Sequence, residues 1–173
     1  TVLLFSGRLD PVKRVENIVD AVGRIEDMFD LSLVILGDGS RRSDWEARAK
    51  SKLQETPVHF LGRVEHSEVP FHLNSSDIFV LASELENHPI ALKEAIACGT
   101  YAVAPSIGRI PDIVEERSGY VYDENTVSGL VKALQTVLDQ KLHEQYTRTE
   151  RAEMVTDWSE TTSELHNLLS QLR

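Results

Sequence analysis

Residues 2–36, VLLFSGRLDPVKRVENIVDAVGRIEDMFDLSLVIL, carry the pattern that decides the fold. Val2–Ser6 is a short, continuously apolar run closed by Gly7, the mark of a strand covered on both faces. After a polar turn, Val15, Ile18, Val19, Val22 and Ile25 recur at helical spacing, with Glu16, Asp20 and Arg24 largely off that face. Leu31–Leu36 is again an apolar run of strand length. Strand, amphipathic helix, strand is the βαβ unit of a parallel sheet. Outward from this unit the rhythm repeats. Strands are predicted at Val58–Leu61, Ile78–Leu81, Tyr101–Ala104 and Gly119–Tyr122. Helices are predicted at Arg42–Gln54, Glu68–Asn74, Pro89–Cys98, Thr126–Asp139, Lys141–Thr156 and Ser159–Leu172, with Gly99 placed to stop the third of these in a left-handed cap. The expected fold class is α/β: a Rossmann-like, three-layer domain around a mostly parallel sheet of six strands. No repeat, low-complexity tract or linker divides residues 1–173, which read as one domain.

Composition narrows the function classes. The 173 residues suffice for a sizeable core, and the formal charge of −10 argues against non-specific nucleic-acid binding, which needs a basic face. No apolar run approaches the ~18 residues of a membrane span. Cys98 is the single cysteine, so no intrachain disulfide forms, and no Cys/His cluster has zinc spacing. A reducing, cytoplasmic setting fits. Thr1 leads directly into the first strand without an initiator Met or signal peptide, which suggests a piece of a longer protein. Leu165, Leu168, Leu169 and Leu172 form an apolar stripe, read first as a helix covering the core and second as an interaction face.

In a doubly wound sheet ligands bind beyond the carboxyl ends of the strands, so the segments that follow the strands are the candidate sites. Gly7-Arg8-Leu9-Asp10-Pro11-Val12-Lys13-Arg14 carries three cations to a helix start, and reads equally as a phosphate site or a solvated basic loop. Gly37-Asp38-Gly39-Ser40 begins like a dinucleotide fingerprint, but Arg42 stands where a third glycine belongs; a turn leading into the next helix is the better reading. Ser83–Gly99 is the richest stretch. Pro89 suits a first helical turn, which leaves Glu86 in the loop, Glu94 one to two turns in, and the Ile90 and Ala91 amides free for a diphosphate. The two carboxylates then flank one crevice and accept hydrogen bonds from sugar hydroxyls. Glu94 shares its helix face with the small apolar Ala91, Ala95 and Cys98.

Taken together and in order, these segments resemble the nucleotide-binding half of a GT-B glycosyltransferase of group 1, a family of retaining enzymes. Gly7-Arg8-Leu9 with Lys13 is similar to the family's G-R-L-x-x-x-K entry. Leu36-Gly37-Asp38-Gly39 and Phe60-Leu61-Gly62-Arg63-Val64 match two further landmarks, Glu86 and Glu94 match the E-x7-E motif, and Gly108-Arg109-Ile110-Pro111-Asp112-Ile113-Val114 resembles G-G-I-P-E-I-V. The resemblance implies that Arg8 and Lys13 hold the donor diphosphate, that backbone around Val64 lies against the nucleobase, and that Glu94 holds the ribose. It implies likewise that Glu86, the catalytic candidate, contacts the transferred sugar and that the Ile90 and Ala91 amides meet phosphate. The donor is then a UDP-, GDP- or ADP-sugar. Because the chain has no Asp-x-Asp pair, fixed cations and helix-end amides take the role of a metal, and no cofactor or metal is required.

Four positions depart from the pattern. Asn87-His88 replaces a frequent Gly-Phe, Arg14 replaces a glycine, and Arg109 replaces the second glycine of the late loop. His88 either contacts the sugar or fills space. The resemblance further implies a separate N-terminal acceptor domain, a hexosyltransferase activity in the whole protein, and any membrane contact through that other domain. Other readings are a non-catalytic nucleotide-sugar-binding or interaction module, then a sugar-nucleotide epimerase, and last an NAD-dependent dehydrogenase, for which the first turn lacks glycines.

Overall fold

The structure, a computed structural model, describes residues 1–152. Its strands are β1 (Val2–Ser6), β2 (Ser32–Leu36), β3 (Val58–Gly62), β4 (Ile78–Val80), β5 (Tyr101–Pro105) and β6 (Gly119–Tyr122). They form one parallel sheet in the order β3-β2-β1-β4-β5-β6, with Val2 to Ser6 in register with Ser32 to Leu36 and Leu3 and Leu4 beside Ile78 and Phe79. The expected Rossmann-like α/β fold is therefore present. Leu3, Leu4 and Phe5 are all inaccessible to solvent, as are Ile78, Phe79 and Val80, so both faces of the central strands are covered.

The helices are α1 (Val15–Val22), α2 (Arg42–Lys52), α3 (Val69–Asn74), α4 (Ile90–Ala97), α5 (Ile110–Ile113), α6 (Val127–Asp139) and α7 (Arg148–Ala152). α1 packs on α2 and α6, and α4 packs on α3 and α7, giving the two helical groups of a three-layer fold. The apolar stripe of α1 is buried at Val15, Ile18, Val19 and Val22, and Ile25 is buried with it although the helix ends at Val22 and the chain continues as turns. Thr126 caps α6 by accepting the Gly129 N–H at 3.1 Å. Gly99 takes the left-handed conformation that ends α4, with φ 69°.

The expected continuous helix from Lys141 is not formed. Lys141 is left-handed at φ 51°, Leu142–Glu144 makes a single 3-10 turn, and α7 restarts at Arg148. The restart is dictated by a capping box: the Glu150 carboxylate accepts from the N–H and the hydroxyl of Thr147, each at 2.8 Å, and Thr147 Oγ1 accepts the Glu150 N–H at 3.3 Å. Buried Arg151 fixes the corner by donating to the carbonyls of Gly99, His143 and Tyr146, each at 2.7 Å. The rest of that predicted helix, and the one predicted at Ser159–Leu172 with its leucine stripe, lie outside the described residues. Among the described residues no helix is long and apolar enough to cross a membrane.

Candidate functional site

From β1 the chain leads outward to β2 on one side, and from β4 to β5 on the other, so the carboxyl ends of β1 and β4 flank the topological switch point. The segments after these two strands are bound to each other there. Lys13 Nζ lies 2.5 Å from Glu86 Oε1, Arg14 Nη2 lies 2.9 Å from Glu84 Oε2, and the Glu84 N–H donates to the Val12 carbonyl at 2.8 Å. The Lys13–Glu86 pair is largely withdrawn from water, with side chains 22% and 8% exposed. Glu86 Oε1 also accepts the hydroxyl of fully buried Ser83 at 2.8 Å.

The glycine pair after β2 serves contact between loops. Gly37 has φ 123°, and a Cβ there would stand 1.9 Å from the Gly7 carbonyl oxygen, so only glycine lets the loops after β1 and β2 approach this closely. The Leu9 N–H donates to the Asp38 carbonyl and the Arg41 N–H to the Leu9 carbonyl, each at 2.9 Å. Gly37 in turn donates to the Gly62 carbonyl at 2.7 Å, tying this loop to the last residue of β3. On the other flank Gly108, at φ 53°, lies against the Glu86 carbonyl oxygen, where a Cβ would come within 2.0 Å.

Each expected site residue has a definite place. Arg8 is at the rim, 78% exposed and paired with Asp10 at 3.2 Å rather than with either motif glutamate. Val64 is half-buried and packs on the core just after β3. His88 is exposed, its Nδ1 3.1 Å from the Asn87 carbonyl. Glu94, 28% exposed, has its Oε1 3.7 Å from Nδ1 of His66, two residues beyond Val64, so Glu94 faces the segment that follows β3. Arg109 pairs with Asp112 at 3.3 Å.

The start of α4 differs from expectation. Pro89, at φ −76° and ψ 79°, lies outside the helix as the centre of an inverse γ-turn in which the Ile90 N–H donates to the His88 carbonyl at 2.9 Å. Proline's fixed φ suits that turn as well as it suits a helix start. The Ile90 amide is thus engaged, and the Ala91 amide is the one without an acceptor among the described residues.

Sequence reasoning missed Ser83, Asn125 and Tyr122. Asn125 Nδ2 donates to the Ser83 carbonyl at 3.0 Å, and the buried Tyr122 hydroxyl donates to the Leu81 carbonyl at 3.1 Å. Burial pushes the Tyr122 phenol above its ordinary range, which keeps it a donor. The only signal for Ser83 is its spacing of three residues from Glu86. Cys98 beside this region is a partly buried thiol held in its neutral form by burial and by the Glu94 charge. Two surface hollows, of about 430 and 410 Å³, are lined by other residues: one by Asp77, His143 and Arg148, the other by Glu26, Phe29 and Thr56.

Residues 1–154 match the family model described as glycosyl transferases group 1. The chain is 31% identical over 144 residues to N-acetyl-alpha-D-glucosaminyl L-malate synthase of Bacillus anthracis, covering 82% of this chain and 37% of that protein. It is 32% identical over 142 residues to glycogen synthase of Mycobacterium tuberculosis, covering 79% of this chain and 34% of that protein. The chain thus spans about a third of the length of these curated relatives. Among solved structures, the catalytic domain of cholesterol-alpha-glucosyltransferase from Helicobacter pylori superposes with a TM-score of 0.74 at 22% identity, over 88% of this chain and 94% of that one. The C-terminal domain of a group 1 glycosyl transferase from Francisella tularensis gives 0.74 at 20% identity, over 89% of this chain and 83% of that one. With a doubly wound fold of the GT-B kind and a family match along its described length, the chain belongs to the group 1 glycosyl transferases.

Proposed function

We propose that this chain is the donor half of a group 1 glycosyltransferase: it binds a UDP-, GDP- or ADP-sugar, and in the whole protein the sugar passes with retention to an acceptor held by an N-terminal domain. The observation that carries the reading is the half-buried Lys13–Glu86 pair across the switch point of a family member's sheet. An ammonium has three donors, and Glu86 takes one, leaving Lys13 able to meet a diphosphate oxygen while Glu86 accepts from the transferred sugar. Cleavage places negative charge on the departing diphosphate. Lys13, Arg8 and the free Ala91 amide are the groups proposed to stabilise it without a required metal, with Ile90 contributing its amide once the turn to His88 opens. Val64 is assigned to the nucleobase and Glu94 to the ribose, in keeping with Glu94 facing, through His66, the segment after β3 that carries Val64. His88, exposed two residues after Glu86, is assigned to the sugar end. The matched relatives are named for different products, an N-acetyl-alpha-D-glucosaminyl L-malate and glycogen, so the hexose of this chain is left to the binding test. The proposed location is the cytoplasm, which suits a chain whose one thiol has no intrachain partner.

The test separates phosphate from nucleoside. Lys13→Ala should lose affinity for nucleoside diphosphates by about 1.5–3 kcal/mol, the scale of a charged hydrogen bond, and leave the bare nucleoside unaffected. Arg8→Ala should lose less, because its guanidinium is exposed and screened. Equal losses for nucleoside and diphosphate contradict the assignment. Retention is read from the anomeric configuration of the product made by the whole protein, and metal independence from the same reaction in EDTA.

A further inference from the structure

We infer that Asn125 is a positioning residue for the sugar end of the site, acting through Ser83 on Glu86; the inference rests on the proposed role of Glu86. Glu86 is a buried carboxylate whose two protein donors, Lys13 Nζ and Ser83 Oγ, both meet Oε1. Oε2 has no donor among the described residues, and the side chain keeps 8% of its surface open to solvent, which leaves Oε2 as the oxygen to accept from a sugar hydroxyl. Which way Oε2 points is therefore decided by how firmly Oε1 is held.

One of its holders, Lys13, is a flexible side chain that the proposed mechanism shares with phosphate. The other, Ser83, has one rotatable bond and no access to solvent, so its hydroxyl is only as well placed as its backbone. That backbone is held by Asn125, whose amide donates to the Ser83 carbonyl at 3.0 Å. Asn125 is itself well anchored, standing directly before the Thr126 cap of α6 and after β6. Tyr122 of the same strand holds Leu81 in the same way. The start of the segment after β4 is thus fixed from the β6 side by two neutral donors, while Lys13 and Arg14 hold its glutamates from the β1 side.

Asn125 Oδ1 is buried without a donor. An orphaned acceptor costs stability, so an amide at this position is a poor choice for packing and a reasonable one for aiming a donor at Ser83. Neither residue is among the motif positions given a donor contact above; together they form the layer that sets the direction of Glu86.

Two arms test it. In the ligand-free chain, carbon-13 spectra of the glutamate carboxyl groups, with the Glu86 signal assigned through Glu86→Gln, should show that signal moving in Asn125→Asp and in Ser83→Ala while Glu94 keeps its shift. Asn125→Asp is isosteric and turns the donor into an acceptor facing a carbonyl; Ser83→Ala removes only the hydroxyl. A Glu86 signal that stays in place in Asn125→Asp, whatever Ser83→Ala does, overturns the inference. In the second arm, titration with the nucleotide-sugar and with the matching nucleoside diphosphate should show about a tenfold loss for the sugar conjugate alone, the effect of one hydrogen bond of ordinary strength. Equal weakening of both ligands would mean that Asn125 merely supports the fold, and would overturn the inference. Should the wild-type chain bind neither ligand, the donor reading fails, and the carboxyl signal still decides whether Asn125 governs Glu86.

Discussion

Arg14 is held at φ 46° and ψ 43°, a conformation that glycine occupies without strain and that costs other residues roughly 1–2 kcal/mol. The family pattern has glycine here, and the backbone supplies the reason. Arg14 offsets the strain in part through its 2.9 Å pair with Glu84, although both partners are substantially exposed and such pairs contribute about 0.2–1 kcal/mol. Arg14→Gly is therefore expected to keep stability within about 1 kcal/mol of the parent, relief of strain offsetting the lost pair. Arg14→Val, branched at Cβ, should fall a further ~1–2 kcal/mol in urea unfolding; equal stabilities for the two variants would contradict the account. Glu94 makes the complementary prediction for binding. Among the described residues its carboxylate makes no hydrogen bond and pairs only with His66, so Glu94→Ala should leave folding intact and weaken nucleoside diphosphate binding by about 1–3 kcal/mol; unchanged affinity would remove it from the ribose. At this scale the sequence revealed Lys13 and Glu86 as chemistry-bearing residues but not as partners. They are 73 positions apart, and a pairing at that distance exists only once β1 and β4 lie side by side.

The elements were legible where periodicity was strong. All the predicted strands form, because each is a compact apolar run closed by a polar or glycine turn, and α1 and α6 follow their apolar stripes. Boundaries failed where a local hydrogen bond outweighed the pattern. Pro89, a favoured first helical residue by sequence, instead centres an inverse γ-turn, and the helix predicted from Lys141 is broken because Thr147 and Glu150 form a capping box inside it. Loop-to-loop contacts were not legible either, since the glycines that permit them look like ordinary turn glycines until the opposing backbone is in place. The turn between α2 and β3 supplies a test of such a contact. Burial opposes ionisation of Glu26, but the N–H groups of Gln54, Thr56 and Glu55, at 3.0–3.1 Å, outweigh it and hold the carboxyl below its usual range. A carboxyl depressed in the folded state stabilises above its ordinary value and loses that contribution as pH falls through the lower, folded one. Glu26→Gln should therefore be less stable than the parent at neutral pH, and the gap should close in acid, below about pH 4. A gap independent of pH in thermal unfolding would show that the charge plays no part.

Over the whole molecule, chain topology and the proposed chemistry converge on one edge of the sheet. The order β3-β2-β1-β4-β5-β6 puts the cation-bearing turn after β1 beside the glutamate-bearing segment after β4, and the loops after β2, β5 and β6 and the last residue of β3 are stitched to these or to each other there. Against an overall charge of −10, Arg8, Lys13 and Arg14 gather cations at this edge, which suits an anionic donor. That arrangement makes calorimetric titration of this chain with UDP, GDP, ADP and their hexose conjugates, in EDTA and again with magnesium, the most direct test of the central claim. The account predicts that one nucleobase series binds, with similar affinity in both buffers, and that binding disappears in Lys13→Ala. A chain shown by circular dichroism to be folded that binds no member of any series, or binds only when magnesium is present, contradicts it.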